Sequence, residues 1–228
     1  DGQRIWTMIF SRMKVGKKVQ NLIWWTNGQL RPVTERIPES CSIGVLLLAV
    51  ILPLAFSACS SDTDEAVFFT GSSLVEKWDV RRFFPTKVTY NAGLSGAGID
   101  YVESQGKQFK GENVVLIIGG NDVVSVDDTE AYVERYLRML QNMEAKRIYL
   151  YSILPRLAFE SDGYEKVRLL NKKIREGVTE RLDNVVYIDV FDLFLEGGRL
   201  NEQYFYDGTH LNEWGYALIS GELKKVLL

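Results

Sequence analysis

Histidine is all but missing from this chain: one copy in 228 residues, His210, within the stretch YDGTHLNEWG at 206–215. Cysteine occurs twice, at Cys41 and Cys59, and proline five times. With one imidazole and no close thiol pair, a zinc site would have to be nearly all carboxylate, so metal catalysis is poorly supported and no cofactor is expected. Gly-x-Gly-x-x-Gly and a glycine loop ending in Gly-Lys-Ser/Thr are both absent, which removes the common phosphate-cradling loops. There is no basic stripe either. Residues 59–228 carry twenty Lys/Arg against twenty-seven Asp/Glu. That acidic balance argues against a nucleic-acid partner, whose binding runs mostly on neutralising phosphates. No internal repeat or low-complexity tract interrupts the chain.

What is present divides at residue 58. Residues 1–58 are basic, with seven Lys/Arg and three Asp/Glu, and contain the run Ile43–Ala58 (IGVLLLAVILPLAFSA), sixteen almost purely apolar residues broken by Pro53. This is short of the about 20 residues a membrane span needs and has the length of a signal-peptide core. Small Ser57 and Ala58 close it, Cys59 follows at once, and SSDTDE comes next. The stretch resembles a bacterial lipoprotein signal, which implies lipidation of Cys59 and removal of the leader. Phe56 departs from that pattern, and a buried helix or a plain secretory signal is the alternative. Residues 59–65 then read as a tether, and the resemblance implies a domain of the bacterial cell envelope, lipid-anchored, or a secreted one. Cys41 would leave with the leader, so no structural disulfide is expected. The sequence opens on Asp, and Met8 or Met13 is a candidate start; residues 1–40 are set aside from the fold.

From Ala66 onward short apolar runs alternate with amphipathic ones. AVFFT (66–70), KVTYN (87–91), NVVLIIG (113–119), RIYLYSI (147–153) and NVVYIDV (184–190) are strand-length and rich in β-branched and aromatic residues. Between them, Asp127 with Glu130 reads as a capping box opening a helix whose Val133, Leu137 and Leu140 share a face. Val167, Leu170, Ile174 and Val178 mark another helix, and Leu218, Leu223 and Leu227 a last one. Five strands alternating with helices predict a three-layer α/β/α sandwich on a mostly parallel sheet over 66–228. Ligands of such sheets bind outside the carboxyl ends of the strands.

Those ends carry small and polar residues: GSSLVEKW (71–78) after the first strand, NAGLSGAG (91–98) after the second, GGND (119–122) after the third, DGTH (207–210) after the fifth. In this order the blocks resemble the SGNH, or GDSL-type, hydrolase superfamily over about residues 66–228. Ser72 stands where Gly-Asp-Ser would have its Asp, as in branches with Gly-Ser-Ser and a downstream Trp. The resemblance implies a flavodoxin-like sheet and an ester-cleaving site. By position, Ser73 is the nucleophile, His210 its base and Asp207 the carboxylate that orients the imidazole. The oxyanion donors are the backbone N–H of Ser73 and of Gly96 and the side-chain amide of Asn121. Gly96 suits its place because the backbone there approaches substrate with no Cβ in the way.

Competing readings use the same residues. Ser95 in GLSGAG fails a Gly-x-Ser-x-Gly elbow because Ala97 replaces the last glycine. Asp122, Asp189 and Asp192 read as loop or capping residues. Trp78, Tyr204, Tyr206 and Trp214 are pocket candidates that packing would equally explain. The expectation is a serine esterase acting on short acyl, including O-acetyl, esters of a small molecule or glycan, losing activity as the imidazole protonates. An O-acyltransferase on glycans and a non-catalytic glycan- or lipid-binding surface lipoprotein are the alternatives.

Overall fold

The structure is a computed structural model that describes residues 23–26, 29–32, 65–160 and 163–227. The chain divides into two units, Asp1–Cys59 and Ser60–Leu228. In the first, the described residues form an antiparallel hairpin of β1 (Ile23–Thr26) and β2 (Gln29–Pro32). The apolar run 43–58, Cys59 and the tether up to residue 64 lie outside the described residues. Among the described residues no helix is long and apolar enough to cross a membrane.

The second unit carries five parallel strands, β3 (Val67–Gly71), β4 (Thr89–Gly93), β5 (Asn113–Ile117), β6 (Arg147–Tyr151) and β7 (Val185–Ile188), in the order β4-β3-β5-β6-β7. The helices are α1 (Ser73–Glu76), α2 (Val80–Phe83), α3 (Ile99–Gln105), α4 (Thr129–Asn142), α5 (Gly163–Arg181) and α6 (Glu213–Leu227). A small hairpin, β8 (Leu195–Glu196) with β9 (Arg199–Leu200), precedes α6.

Alternation along each strand makes the layers. Val114 and Leu116 of β5, with Ile118 just beyond it, join one apolar cluster with Ile99 and Val102 of α3, Leu137 and Leu140 of α4, and Leu170 and Ile174 of α5. Val115 and Ile117 point the other way, into a second cluster with Leu74 and Val75 of α1, Val80 of α2, and Ile219 and Leu223 of α6. The run NVVLIIG is therefore apolar on both faces because helices cover both. Each large side chain so buried contributes about 1.5–3 kcal/mol, which makes the two clusters the main source of stability.

Local expectations shift in three places. The strand expected at 87–91 runs from Thr89 to Gly93. It is an edge strand with Tyr90 and Asn91 exposed, so its pattern is half polar where the central strands are apolar throughout. The cap of α4 is Asp128, not Asp127: Asp128 has the extended backbone a cap needs and its Oδ1 accepts from Ala131 N–H at 3.0 Å. Glu130 closes no capping box and pairs with Lys173 at 2.5 Å. In α6 the buried stripe is Tyr216, Ile219, Ser220 and Leu223, with Leu218 and Leu227 on its flanks.

The strand order fixes where the site lies. From β3 the chain moves outward to β4, then returns past β3 to β5, so the connections leave β3 and β5 in opposite directions. The crevice at their carboxyl ends is the switch point of the sheet. Ser73 follows β3 and Asn121 follows β5.

Candidate active site

The first strand ends at Gly71 in a conformation reserved for glycine, φ +137, where a Cβ would lie 2.1 Å from Ile117 O. Ser72 N–H donates to that same carbonyl at 3.1 Å, and Ser73 opens α1 directly afterwards. A first-turn N–H has no earlier turn to bond; that of Ser73 donates to no group among the described residues. The serine is 7% exposed. Trp78, just beyond α1, packs among Phe69, Phe84, Tyr151 and Tyr216 and donates its Nε1–H to Ser220 Oγ at 3.1 Å. Trp78 is thus a packing residue.

The far end of the chain delivers the imidazole. Asp207 Oδ1 accepts from the backbone N–H of Thr209 at 3.0 Å and of His210 at 2.7 Å, closing a tight turn. Its Oδ2 accepts from His210 Nδ1 at 2.7 Å, and Nε2 of the same ring lies 3.0 Å from Ser73 Oγ. With Nδ1–H committed to the carboxylate, Nε2 is the acceptor and the serine hydroxyl donates to it. The bond from the His210 ring, and next the His210 backbone N–H, pull the Asp207 carboxyl from 3.8 down to about 2. Such a line of groups passes a proton from hydroxyl to imidazole while a carboxylate meets the resulting charge.

Asn212 pins this turn. Its Oδ1 accepts from the N–H groups of Trp214 and Gly215 at the start of α6, and its Nδ2 donates to Gln203 O at 2.7 Å. Tyr206 N–H donates to His210 O at 2.7 Å.

Asn121 Nδ2 donates to Ala97 O at 2.8 Å, which ties the third block to the residue after Gly96. Gly96 has φ +79 with open space where a Cβ would stand, and its N–H donates to no group among the described residues. Two backbone donors thus stay unused near the serine and the asparagine amide. Gly93 serves packing instead, since a Cβ there would sit 2.2 Å from Glu76 N in α1. Ser95 bonds to Glu76 and faces no imidazole.

Asp122, Asp189, Asp192 and Tyr204 have structural partners. Asp122 accepts from Ile99 N–H at 3.3 Å, holding the start of α3, and burial raises its pKa. Asp189 pairs with Arg175 and Asp192 with Arg168. Tyr204 stacks edge-on against Phe194, while Tyr206 and Trp214 are exposed. Sequence reading missed Asn212 and Arg156. Arg156 follows β6, the one strand whose carboxyl end was given no candidate; its Nη2 donates to Asn121 Oδ1 at 2.9 Å. The rule that sent attention to strand ends pointed there too.

A parallel sheet with serine, histidine and carboxylate joined at its switch point defines a class, the flavodoxin-like serine hydrolases. The family model described as "GDSL-like Lipase/Acylhydrolase family" matches residues 63–218. The chain belongs to that family. Among solved structures it is similar to a GDSL-like lipase from Bacteroides thetaiotaomicron, at 20% identity and TM-score 0.60 over 79% of this chain and 96% of that one. It is also similar to an acetyl xylan esterase, at 16% identity and TM-score 0.58 over 72% and 100% of the two chains. At these identities the likeness is one of fold. An N-acylneuraminate cytidylyltransferase from Escherichia coli (strain RS218) is 28% identical over 177 residues, 73% of this chain; the match spans 41% of that relative's length.

Proposed function

We propose that the domain is a carboxylic ester hydrolase that removes short acyl groups through an acyl-enzyme. The observation that carries this reading is the unbroken line from Asp207 Oδ2 through both ring nitrogens of His210 to Ser73 Oγ, at 2.7 and 3.0 Å. Ser73 Oγ attacks the ester carbonyl carbon as its proton passes to Nε2, and the carbonyl oxygen becomes an oxyanion. The N–H groups of Ser73 and Gly96 and the Asn121 amide receive that charge. The C–O bond to the alcohol then breaks, with His210 returning the proton to the leaving oxygen. A water, deprotonated by the same Nε2, attacks the acyl-serine; the acid departs and Ser73 recovers its proton. Asp207 keeps the imidazole in the right tautomer and stabilises its charged form.

Short acyl groups fit a compact domain whose sequence has no long insertion over the strand ends. The alcohol portion we assign is a sugar. The acetyl xylan esterase among the solved structures and the N-acylneuraminate named in the curated relative both fall in that class. An envelope location through a lipid on Cys59 belongs to the same proposal and rests on Ile43–Cys59; a Cys59→Ala chain that still takes up labelled fatty acid would contradict it.

Rapid mixing with 4-nitrophenyl acetate tests the mechanism. A burst of nitrophenolate equal to the active enzyme, followed by slower turnover, is the expected result; turnover undiminished in Ser73→Ala would exclude an acyl-enzyme on this serine. Adding glycerol or a sugar as acceptor separates hydrolysis from acyl transfer: free acetate as the main product supports the hydrolase, acetylated acceptor the transferase.

A further inference from the structure

Arg156 is unlike the other arginines of residues 65–227. Those at 81, 82, 135, 138, 147, 168, 175, 181 and 199 are exposed, whereas Arg156 is half-buried. Its guanidinium lies over the Phe159 ring, 5.5 Å from the centroid. A Cβ on Gly120 would stand 2.6 Å from Nη2, so the bare backbone of the GGND block is what gives the head group room. Nη2 donates to Asn121 Oδ1 at 2.9 Å, and the next residue, Leu157, donates its N–H to Gly208 O at 2.9 Å, inside the Asp207–His210 turn. Arg156 therefore stands between the loop bearing the asparagine and the loop bearing the histidine.

Its charge meets the face of the Phe159 ring and no carboxylate. Among the described residues no carboxylate lies within 4.0 Å of the guanidinium, and the bond to Asn121 is the one hydrogen bond its side chain makes. Arginine does not escape by losing its proton, and a charge drawn out of water without a partner is costly. Burial works against the charged form here, opposed only by the more distant Asp122. Four N–H donors of a planar fork are left beside Asn121, with a geometry that matches a carboxylate.

We propose that Arg156 is a specificity-determining residue that binds a carboxylate carried by the ester substrate. This rests on the ester-hydrolase reading of the site. The preferred substrates are then acyl esters of acidic compounds, with the carboxylate on the acyl or on the alcohol side of the scissile bond.

Two matched pairs of esters test it with the full chain. On the acyl side these are 4-nitrophenyl hydrogen succinate and 4-nitrophenyl butyrate. On the alcohol side they are 3-acetoxybenzoate and its methyl ester. For each pair the ratio of kcat/KM, anionic over neutral, is compared between wild type, Arg156→Gln and Arg156→Lys, with Arg168→Gln as a control arginine remote from the serine. Loss of a hydrogen bond to a charged group predicts that the ratio of at least one pair drops roughly 10- to 100-fold in Arg156→Gln, mainly through KM. Arg156→Lys should fall between, and Arg168→Gln should keep the wild-type ratio. Equal losses on anionic and neutral esters in both pairs would overturn the proposal and leave Arg156 as a positioning residue for Asn121. No hydrolysis of any of the four by wild type, together with no acylated Ser73, would instead bring down the ester reading beneath it.

Discussion

Ser73 and His210 meet across 3.0 Å, yet they are held by different kinds of structure. Ser73 is buried where a central strand becomes a helix, preceded by a glycine that no other residue can replace without striking Ile117 and carried on α1, whose Leu74 carbonyl accepts from Tyr216 of the aromatic layer around Trp78. His210 and Asp207 sit on an outer turn, their side chains 27% and 46% exposed, held by the turn's own hydrogen bonds and by Asn212. The position of Ser73 is a property of the core, and that of His210 is a property of a loop. Substitutions on the two sides should therefore fail differently: chemistry is lost without stability at the turn, and stability is lost first around the serine.

The largest expected effect is His210→Ala. It should lower kcat on the order of 10⁶-fold while shifting the thermal midpoint by no more than about 3 °C; a folded variant with more than a hundredth of wild-type kcat would break the comparison at its functional end. Next comes Trp78→Ala, which empties the centre of the aromatic layer formed with Phe69, Phe84, Tyr151 and Tyr216. Truncating a buried tryptophan costs about 3–5 kcal/mol, so calorimetry should find the midpoint lower by roughly 10 °C or more. An unchanged midpoint would mean the core does not hold the serine as described. Asn121→Ala is expected to reduce kcat by about 10²–10³ with KM little altered, and a change confined to KM would assign Asn121 to ground-state binding.

The smallest effect concerns acid. Asp207 is held at about 2 in the folded chain against 3.8 ordinarily, so its contribution is present above about pH 3.8 and disappears as pH falls through 2. Solvent screening keeps that contribution small for so exposed a pair. The midpoint difference between wild type and Asp207→Asn should accordingly narrow below pH 4 in thermal melts. A difference that widens on acidification has the wrong sign for this pair.

This contrast also explains what was legible in the sequence. Central strands such as NVVLIIG are apolar on both faces, so strand, layer order and switch point follow from pattern alone. The edge strand at Thr89–Gly93 was displaced by two residues because one side of it faces solvent. Ser73, Asn121, Asp207 and His210 were legible through the resemblance of four ordered blocks at the strand ends to the SGNH family, the last block holding the sequence's one histidine. Asn212 and Arg156 did not, since neither has a spacing that marks it. Asn212 acts through three short bonds to backbone that only the folded turn brings near, and Arg156 through a contact with a residue 35 positions away. Asp128 in place of Asp127 as helix cap was decided by backbone angles that two adjacent aspartates do not reveal.

The central claim is that Ser73 is made nucleophilic by His210. Treating the full chain with a fluorophosphonate probe and mapping the adduct by peptide mass spectrometry measures this without choosing a substrate. The account predicts one adduct, on Ser73, that disappears in a folded His210→Ala variant. No adduct on folded wild type, an adduct on Ser95 or another serine, or undiminished labelling of Ser73 without the histidine would contradict it.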